Sequence, residues 1–329
     1  MRMHDALTVA VERWPIAGGF TIARGTKTEA VVVVAAVTRD GVTGRGECVP
    51  YARYGESVEG VVQALQNQAD AMAQGADRGD LLRAMPPGAA RNALDCALWS
   101  VAARASGQPV WALAGLPRPL PVVTAFTLSL GNPTAMAAAA QRAAGRPLLK
   151  VKLGGVGDDE RIRAVRQAAP AATLIVDANE SWTEATLERN LAACAQARVA
   201  LIEQPLPAGA DALLEGFETP VPICADESFH DRETLAAVAR RYRFVNLKLD
   251  KTGGLTEAIA VARAVQEHGM GLMVGCMLGT SLGMAPAFLL TPWAQFVDLD
   301  GPLLLTRDRE PGFAFEGSTM LPPGAGVWD

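Results

Sequence analysis

The sequence predicts an α/β fold, a (β/α)7β-type TIM barrel with an α+β N-terminal capping domain, and three observations lead there. Apolar runs begin near residues 121, 148, 173, 200, 222, 244, 272 and 296, and most of the gaps between them carry helical periodicity. Charged residues close five of these runs: Lys150 and Lys152 in LLKVKLG, Asp177 in TLIVDANE, Glu203 in LIEQP, Asp226 in ICADES and Lys248 in VNLKLD. The stretch before the first run reads differently, as strands followed by helices. At the ends of parallel barrel strands such charges project together at the C-terminal mouth, where barrel enzymes keep their chemistry.

Taken in order, residues 1 to about 50 read as strands, ALTVAVERW, GGFTIARG, AVVVVAAVT and VTGRGEC, with a hairpin signal at Asp40-Gly41. From 57 to 107 the period becomes helical. Val58, Val61, Val62, Leu65, Ala69 and Met72 share one face, and Ala90, Leu94, Ala97, Leu98 and Val101 share another. Pro117, Pro119 and Pro121 mark a boundary. The expected division is a capping domain over 1–118 and a barrel over 119–301, with helices near 159–168, 184–196, 232–240 and 256–268. After Asp300 the chain is rich in Gly and Pro and holds one strand-like piece, GFAFEGS, so residues 302–329 are expected to return to the capping domain.

Composition narrows the function. At 329 residues the chain suits two domains of about 100–200 residues each. A net charge of −5 leaves no basic surface for polyanions, which argues against a nucleic-acid partner and for a small molecule. Five cysteines without C-x-x-C spacing read as reduced thiols of a cytoplasmic protein. MRMHDALTVAVERWP lacks a signal-type apolar core, and no stretch reaches the roughly 18 apolar residues of a membrane span. Three histidines, none at paired spacing, make a histidine-held zinc improbable.

Asp177, Glu203 and Asp226 end three consecutive runs and so adjoin one another at the mouth. Any one alone could equally cap the following helix, but three together repel strongly unless a cation neutralises them. All-oxygen ligation selects Mg²⁺ or Mn²⁺. Lys150 and Lys152 point to the same side of their strand, and Lys248 ends the run four strands further round an eight-stranded ring. A base on each face of one carbon is what inversion of a stereocentre needs. To act as a base a lysine must lose its proton, so its value of about 10.4 is expected to fall. Asp250 and Lys251 read as solvated loop charges without a role.

On these residues the chain resembles the enolase superfamily, in its muconate-lactonizing subgroup, over nearly its whole length. The resemblance implies Asp177, Glu203 and Asp226 as Mg²⁺ ligands, Lys152 and Lys248 as the acid/base pair, and Lys150 as an assistant at the substrate carboxylate. Run eight ends FVDLDGP, similar to dipeptide epimerases that hold a substrate α-ammonium with a D-x-D pair, here Asp298 and Asp300. FTIARGTKTEA resembles the closing loop of L-Ala-D/L-Glu epimerases, with Arg24 against the substrate's side-chain carboxylate and Arg53 as its competitor. Gly18, Gly19 and Gly25 suggest that this loop moves. Thr127 and Met277 fall where the family lines its pocket, and Asn179, Glu227 and Ser281 read as support. The implied function is Mg²⁺-dependent epimerisation of a dipeptide in cell-wall (murein) peptide recycling. The alternatives within the subgroup are an o-succinylbenzoate synthase, a cycloisomerase or an N-acylamino acid racemase. A homo-oligomer is compatible with such a barrel, although no surface patch in the sequence is diagnostic.

Overall fold

The structure, a computed structural model, describes residues 6–329. Strands β1 (Ala6–Ile22), β2 (Gly25–Arg39) and β3 (Val42–Cys48) form an antiparallel sheet. Asp40 and Gly41 join β2 to β3 with φ of 48° and 81°, the doubly positive pair of a tight hairpin turn. The segment expected as a closing loop, residues 20–30, is the tip of the β1–β2 hairpin. Gly18 and Gly19, with φ of 72° and 81°, bulge the strand between Pro15 and Phe20, and pairing with β2 resumes at Phe20 opposite Lys27.

Helices α1 (Val58–Gln66), α2 (Ala69–Ala73), α3 (Arg78–Ala84) and α4 (Ala89–Ser106) follow, with Ser57 capping α1 by accepting from the Gly60 amide. Helix α4 is buried nearly all round, from Ala89 and Leu94 to Trp99 and Val101, because it lies between the sheet and the barrel. Gly44 and Gly46 of β3 let it come close: a Cβ on Gly46 would overlap the Ala93 carbonyl and the Ala97 amide.

Short helix α5 (Val110–Leu113) leads to β4 (Val122–Val123), which lies outside the barrel. The first barrel strand is therefore β5 (Phe126–Leu128), later than the run starting near 121 suggested. After it come α6 (Pro133–Arg142), β6 (Leu148–Lys152), α7 (Asp158–Ala168), β7 (Thr173–Asp177), α8 (Glu184–Gln196) and β8 (Val199–Glu203). The chain continues through β9 (Ile223–Ala225), α9 (Arg232–Val238), β10 (Phe244–Leu247), α10 (Leu249–Thr252) and α11 (Leu255–Glu267). The barrel ends with β11 (Gly271–Gly275), α12 (Ser281–Phe288), β12 (Phe296–Asp298) and α13 (Gly301–Leu304). Only a 3₁₀ turn, Ala212–Leu214, stands between β8 and β9. Strands β5 to β12 are parallel and ordered as in sequence, and the Ala125 amide donating to Val297 O (2.8 Å) closes the ring.

Period two along each strand builds the interior in layers. Ala125, Leu148, Ile175, Leu201, Cys224 and Met273 form an apolar plug with Phe244 and Phe296. Two residues further along these strands stand Thr127, Lys150, Asp177, Glu203, Asp226, Asn246 and Asp298. Hydrophobic packing below thus fixes the height of a polar layer above.

Beyond the barrel, β13 (Phe315–Glu316) pairs with β14 (Thr319–Met320), and β14 with β4. Leu305 bridges to Ile16 in β1, and Trp328 donates to the Arg45 and Cys96 carbonyls while its own carbonyl accepts from Ser100 Oγ at 2.6 Å. No helix among the described residues is long and apolar enough to cross a membrane.

Candidate active site

A cavity of about 530 Å³ opens at the C-terminal mouth of the barrel under the β1–β2 hairpin. Thr127, Lys150, Lys152, Asp226, Lys248, Met277, Asp298 and Asp300 line its barrel side, and Arg24, Lys27, Tyr51 and Arg53 line its hairpin side. Asp177 and Glu203 lie fully buried beneath the lysines. The eleven residues assigned a metal, acid/base or substrate-binding role from the sequence are therefore in or directly under one cavity.

Register explains the level. Lys152 pairs with Asp177, and Asp177 with Glu203, across adjacent parallel strands. Lys152 Nζ donates to Asp177 Oδ2 at 2.5 Å. Lys150 Nζ lies 2.7 Å from Glu203 Oε2, 2.7 Å from Asp298 Oδ2 and 3.3 Å from Asp177 Oδ2. On the far side of the ring Lys248 Nζ donates to Asp226 Oδ2 at 2.6 Å. Strands β6 and β10 stand four apart in the sheet order, so the lysines enter from opposite sides.

These contacts set the protonation. Burial pushes the Asp177 carboxyl up, but Lys152 and Lys150 outweigh it and hold the group down to about 2. Burial and the neighbouring Asp177 push Glu203 up to about 7. For Lys150 and Lys248 burial favours the neutral amine, yet the facing carboxylates win and raise both above the ordinary lysine value. That is opposite to the fall expected from the sequence. The physical reason is direct pairing: the carboxylates, and not the neighbouring amines, dominate each ammonium.

Asp298 is engaged by Lys150, while Asp300 accepts from the Thr127 amide at 2.6 Å. Burial, with Asp298 beside it, lifts Asp300 to about 7. Ser281 is drawn away from the cavity: its hydroxyl donates to Asp308 and accepts from the Phe313 amide. The backbone N–H of Asn179 donates to Asp177 Oδ1 at 2.9 Å, and Glu227 Oε1 accepts from Arg24 at 2.8 Å.

The reading of Asp250 and Lys251 as solvated charges is corrected. Lys251 is buried and Asp250 half-buried. Lys251 Nζ donates to Asp226 Oδ1 (2.6 Å), Asp226 O (2.7 Å) and Asn246 O (2.8 Å), so Asp226 is gripped by two ammoniums. Asp250 accepts from the Val49 amide and from Asn92 of α4. On the same helix Arg91 donates to Thr252 O and Gly253 O, and Asp95 accepts from the Thr256 amide. Three side chains of one capping helix thus fasten the segment that starts at Lys248. The available signal was spacing: Lys251 lies one turn after Lys248, before a Gly253 whose φ of 75° ends the helix. Gln204 was also missed. Its Oε1 accepts from the Asp226 and Ser228 amides, tying the ends of β8 and β9 together.

Residues 134–314 match the family described as Enolase C-terminal domain-like, and residues 4–115 match the Mandelate racemase / muconate lactonizing enzyme N-terminal domain. The chain belongs to the enolase superfamily. Among curated relatives, the L-Ala-D/L-Glu epimerase of Escherichia coli (strain K12) is 49% identical over 306 residues, 92% of this chain and 95% of that one. The N-acetyl-D-glutamate racemase of a Pseudoalteromonas species is 42% identical over 287 residues, 87% and 91% of the two chains. A solved enolase family member from Agrobacterium tumefaciens, with homology to dipeptide epimerases and holding sodium and L-Ala-L-Glu, superposes with a TM-score of 0.97 at 52% identity. That match covers 99% of this chain and 100% of the other.

Enolase-superfamily enzymes use Mg²⁺. Among the described residues no three side chains stand as a ready-made coordination shell, since each carboxylate is turned to an ammonium. The donor set itself fits a hard cation. It offers three buried carboxylates that raise one another's proton affinity, and Glu203 Oε2 takes no hydrogen bond of ordinary geometry despite the ammonium 2.7 Å away.

Proposed function

We propose that this superfamily member is an isomerase that inverts the α-carbon of the C-terminal glutamate in L-Ala-D/L-Glu dipeptides, within cytoplasmic recycling of cell-wall peptides. The observation that carries the reading is the entry of Lys152 and Lys248 into one cavity from strands four apart. One amine, neutral at that moment, takes the α-proton, and the other, as an ammonium, delivers a proton to the opposite face. Composition and oxidation state are unchanged, and only the configuration differs.

Asp177, Glu203 and Asp226 would hold Mg²⁺, which supplies positive charge to the substrate carboxylate as the α-carbon is deprotonated. Lys150, wedged between Glu203 and Asp298, is positioned to donate to the same carboxylate. For Lys248 to act as a base its tie to Asp226 must loosen, because that tie favours the ammonium. Asp298 and Asp300 are assigned to the substrate's α-ammonium, Thr127 and Met277 to its backbone and methyl contacts, and Arg24 to the side-chain end.

A second reading has its own support. Asp298 is already paired with Lys150 and Asp300 with the Thr127 amide, so neither carboxylate depends on a substrate ammonium for a partner, which suits an uncharged N-acyl group as well. Assay of L-Ala-L-Glu against N-acetylglutamate separates the two.

The test of the main reading is proton exchange in deuterated water with Mg²⁺. Lys152→Ala and Lys248→Ala should each abolish epimerisation, and each should leave α-proton exchange from one epimer only. Full activity in either variant would overturn the two-base assignment.

A further inference from the structure

The two amines assigned to proton transfer are held by different parts of the molecule. Lys152 is the last residue of β6 and is paired with Asp177 in the barrel ladder. The chain beyond it is fixed from within the barrel. The Leu153 amide donates to Asp177 O at 2.9 Å, and the buried Asp158 accepts from the Gly154 amide, the Gly155 amide and Trp182 Nε1 at 3.0, 2.8 and 2.8 Å. The capping domain approaches this amine with a ring, that of Phe20, 5.7 Å from Nζ.

Lys248 stands one residue past β10, whose pairing with β11 ends at Leu247 opposite Val274. Its backbone is set by the turn that follows, α10, because the Lys248 carbonyl accepts from the Lys251 and Thr252 amides at 3.0 and 3.1 Å. From the barrel this turn is held by Lys251 on Asp226. From the capping domain it is held at two points. Arg91 takes the far end, at Thr252 O and Gly253 O, and Asp250 takes the near end, two residues from the amine. Asp250 Oδ1 accepts from the Val49 amide at 3.1 Å and from Asn92 Nδ2 at 2.8 Å. Asn92 is buried and is oriented from its other end by Cys96, whose thiol donates to Asn92 Oδ1 at 3.3 Å. Val49 follows β3 and lines the cavity. One carboxylate oxygen therefore joins the capping sheet, the capping helix and the turn that carries Lys248.

We infer that Asp250 is a positioning residue through which the capping domain sets the reach of Lys248, and so governs one of the two proton transfers while the barrel governs the other. Asp250 stands outside the cavity lining, so its effect passes through Lys248. The inference rests on the epimerase reading for its reaction. A displacement of about 1 Å at a reacting group is enough to cost roughly 10²-fold in rate.

The experiment follows initial α-proton exchange of L-Ala-L-Glu and L-Ala-D-Glu in deuterated water with Mg²⁺, on wild type, Asp250→Ala, Asp250→Asn and Asn92→Ala. Lys152→Ala and Lys248→Ala show which epimer each lysine deprotonates. In D250A, exchange from the epimer facing Lys248 should fall at least about tenfold at saturating substrate, with KM unchanged, while exchange from the other epimer stays within about twofold of wild type. D250N keeps an oxygen for both donors and should recover most of the loss. Equal falls for the two epimers in D250A, or no fall, would overturn the inference while leaving the reaction intact, since a general loosening of the fold slows both faces. Should D250A not fold, N92A decides, because it removes one of the two donors and leaves the carboxylate. A fall confined to the Lys248 epimer upholds the assignment, and any other result overturns it. Wild type exchanging the α-proton of neither epimer would sink the epimerase reading, and the role of Asp250 with it.

Discussion

Replacing Lys251 by methionine removes an ammonium that is entirely enclosed while keeping most of its volume. The loss leaves one carboxylate oxygen and two carbonyls, Asp226 Oδ1, Asp226 O and Asn246 O, without the donor each now accepts from. Breaking a buried pair from one side costs about 3–5 kcal/mol, because the partner charge stays desolvated. In a chain of this size that is a fall in Tm of roughly 10 °C. Chemical denaturation followed by near-ultraviolet circular dichroism at pH 7 would measure it. Burial opposes ionisation of Asp226, but Lys248 and Lys251 outweigh burial and hold its carboxyl well below the usual range. A depressed acid contributes stability above its unfolded value, about 3.9, and loses it as pH falls through the folded value. The gap between wild type and K251M should therefore narrow on going from pH 7 to pH 3. A loss of about 1 kcal/mol or less at pH 7, the worth of an exposed pair, would refute the view that Lys251 clamps Asp226.

Gly46→Ala should destabilise the capping domain by at least about 2 kcal/mol, since the new methyl meets the backbone of α4 and not a side chain that could turn aside; urea denaturation checks it. Burial raises Asp95 to about 6 in spite of its bonds to Thr256, so wild type loses stability as pH rises from about 4 through 6. Asp95→Asn removes that dependence, and its stability relative to wild type should climb by up to roughly 3 kcal/mol between pH 4 and pH 7, read by denaturation at both. Chelation of divalent ions should abolish epimerisation, with recovery on adding Mg²⁺ or Mn²⁺, and activity persisting in excess chelator would count against carboxylate-held metal.

The barrel and the charged layer were legible because period two and the strand-end charges are local patterns. Ile175 and Asp177, or Leu201 and Glu203, announce plug and mouth within three residues. What escaped depends on contacts distant in sequence. Lys251 looks like a loop charge until Asp226 and the Asn246 carbonyl are placed around it, and Asp250 until Asn92 of α4 reaches it. Arg24 reads as a free cation in FTIARGTKTEA, and only the fold brings Glu180 and Glu227 to it from more than 150 residues away. The start of the first run misled because Val122 and Val123 have strand character but pair with β14. Glycines 18 and 19 signal a break equally well whether the chain loops or bulges, and pairing with β2 decided for the bulge.

The grip of Arg91, Asn92 and Asp95 on residues 250–256 ties inheritance as well as geometry. A chimera that transplants this N-terminal unit onto a sibling barrel must carry both halves of the clasp or misalign the sixth-strand amine. Recombination between paralogues is thereby steered toward crossovers that keep the two segments of common descent.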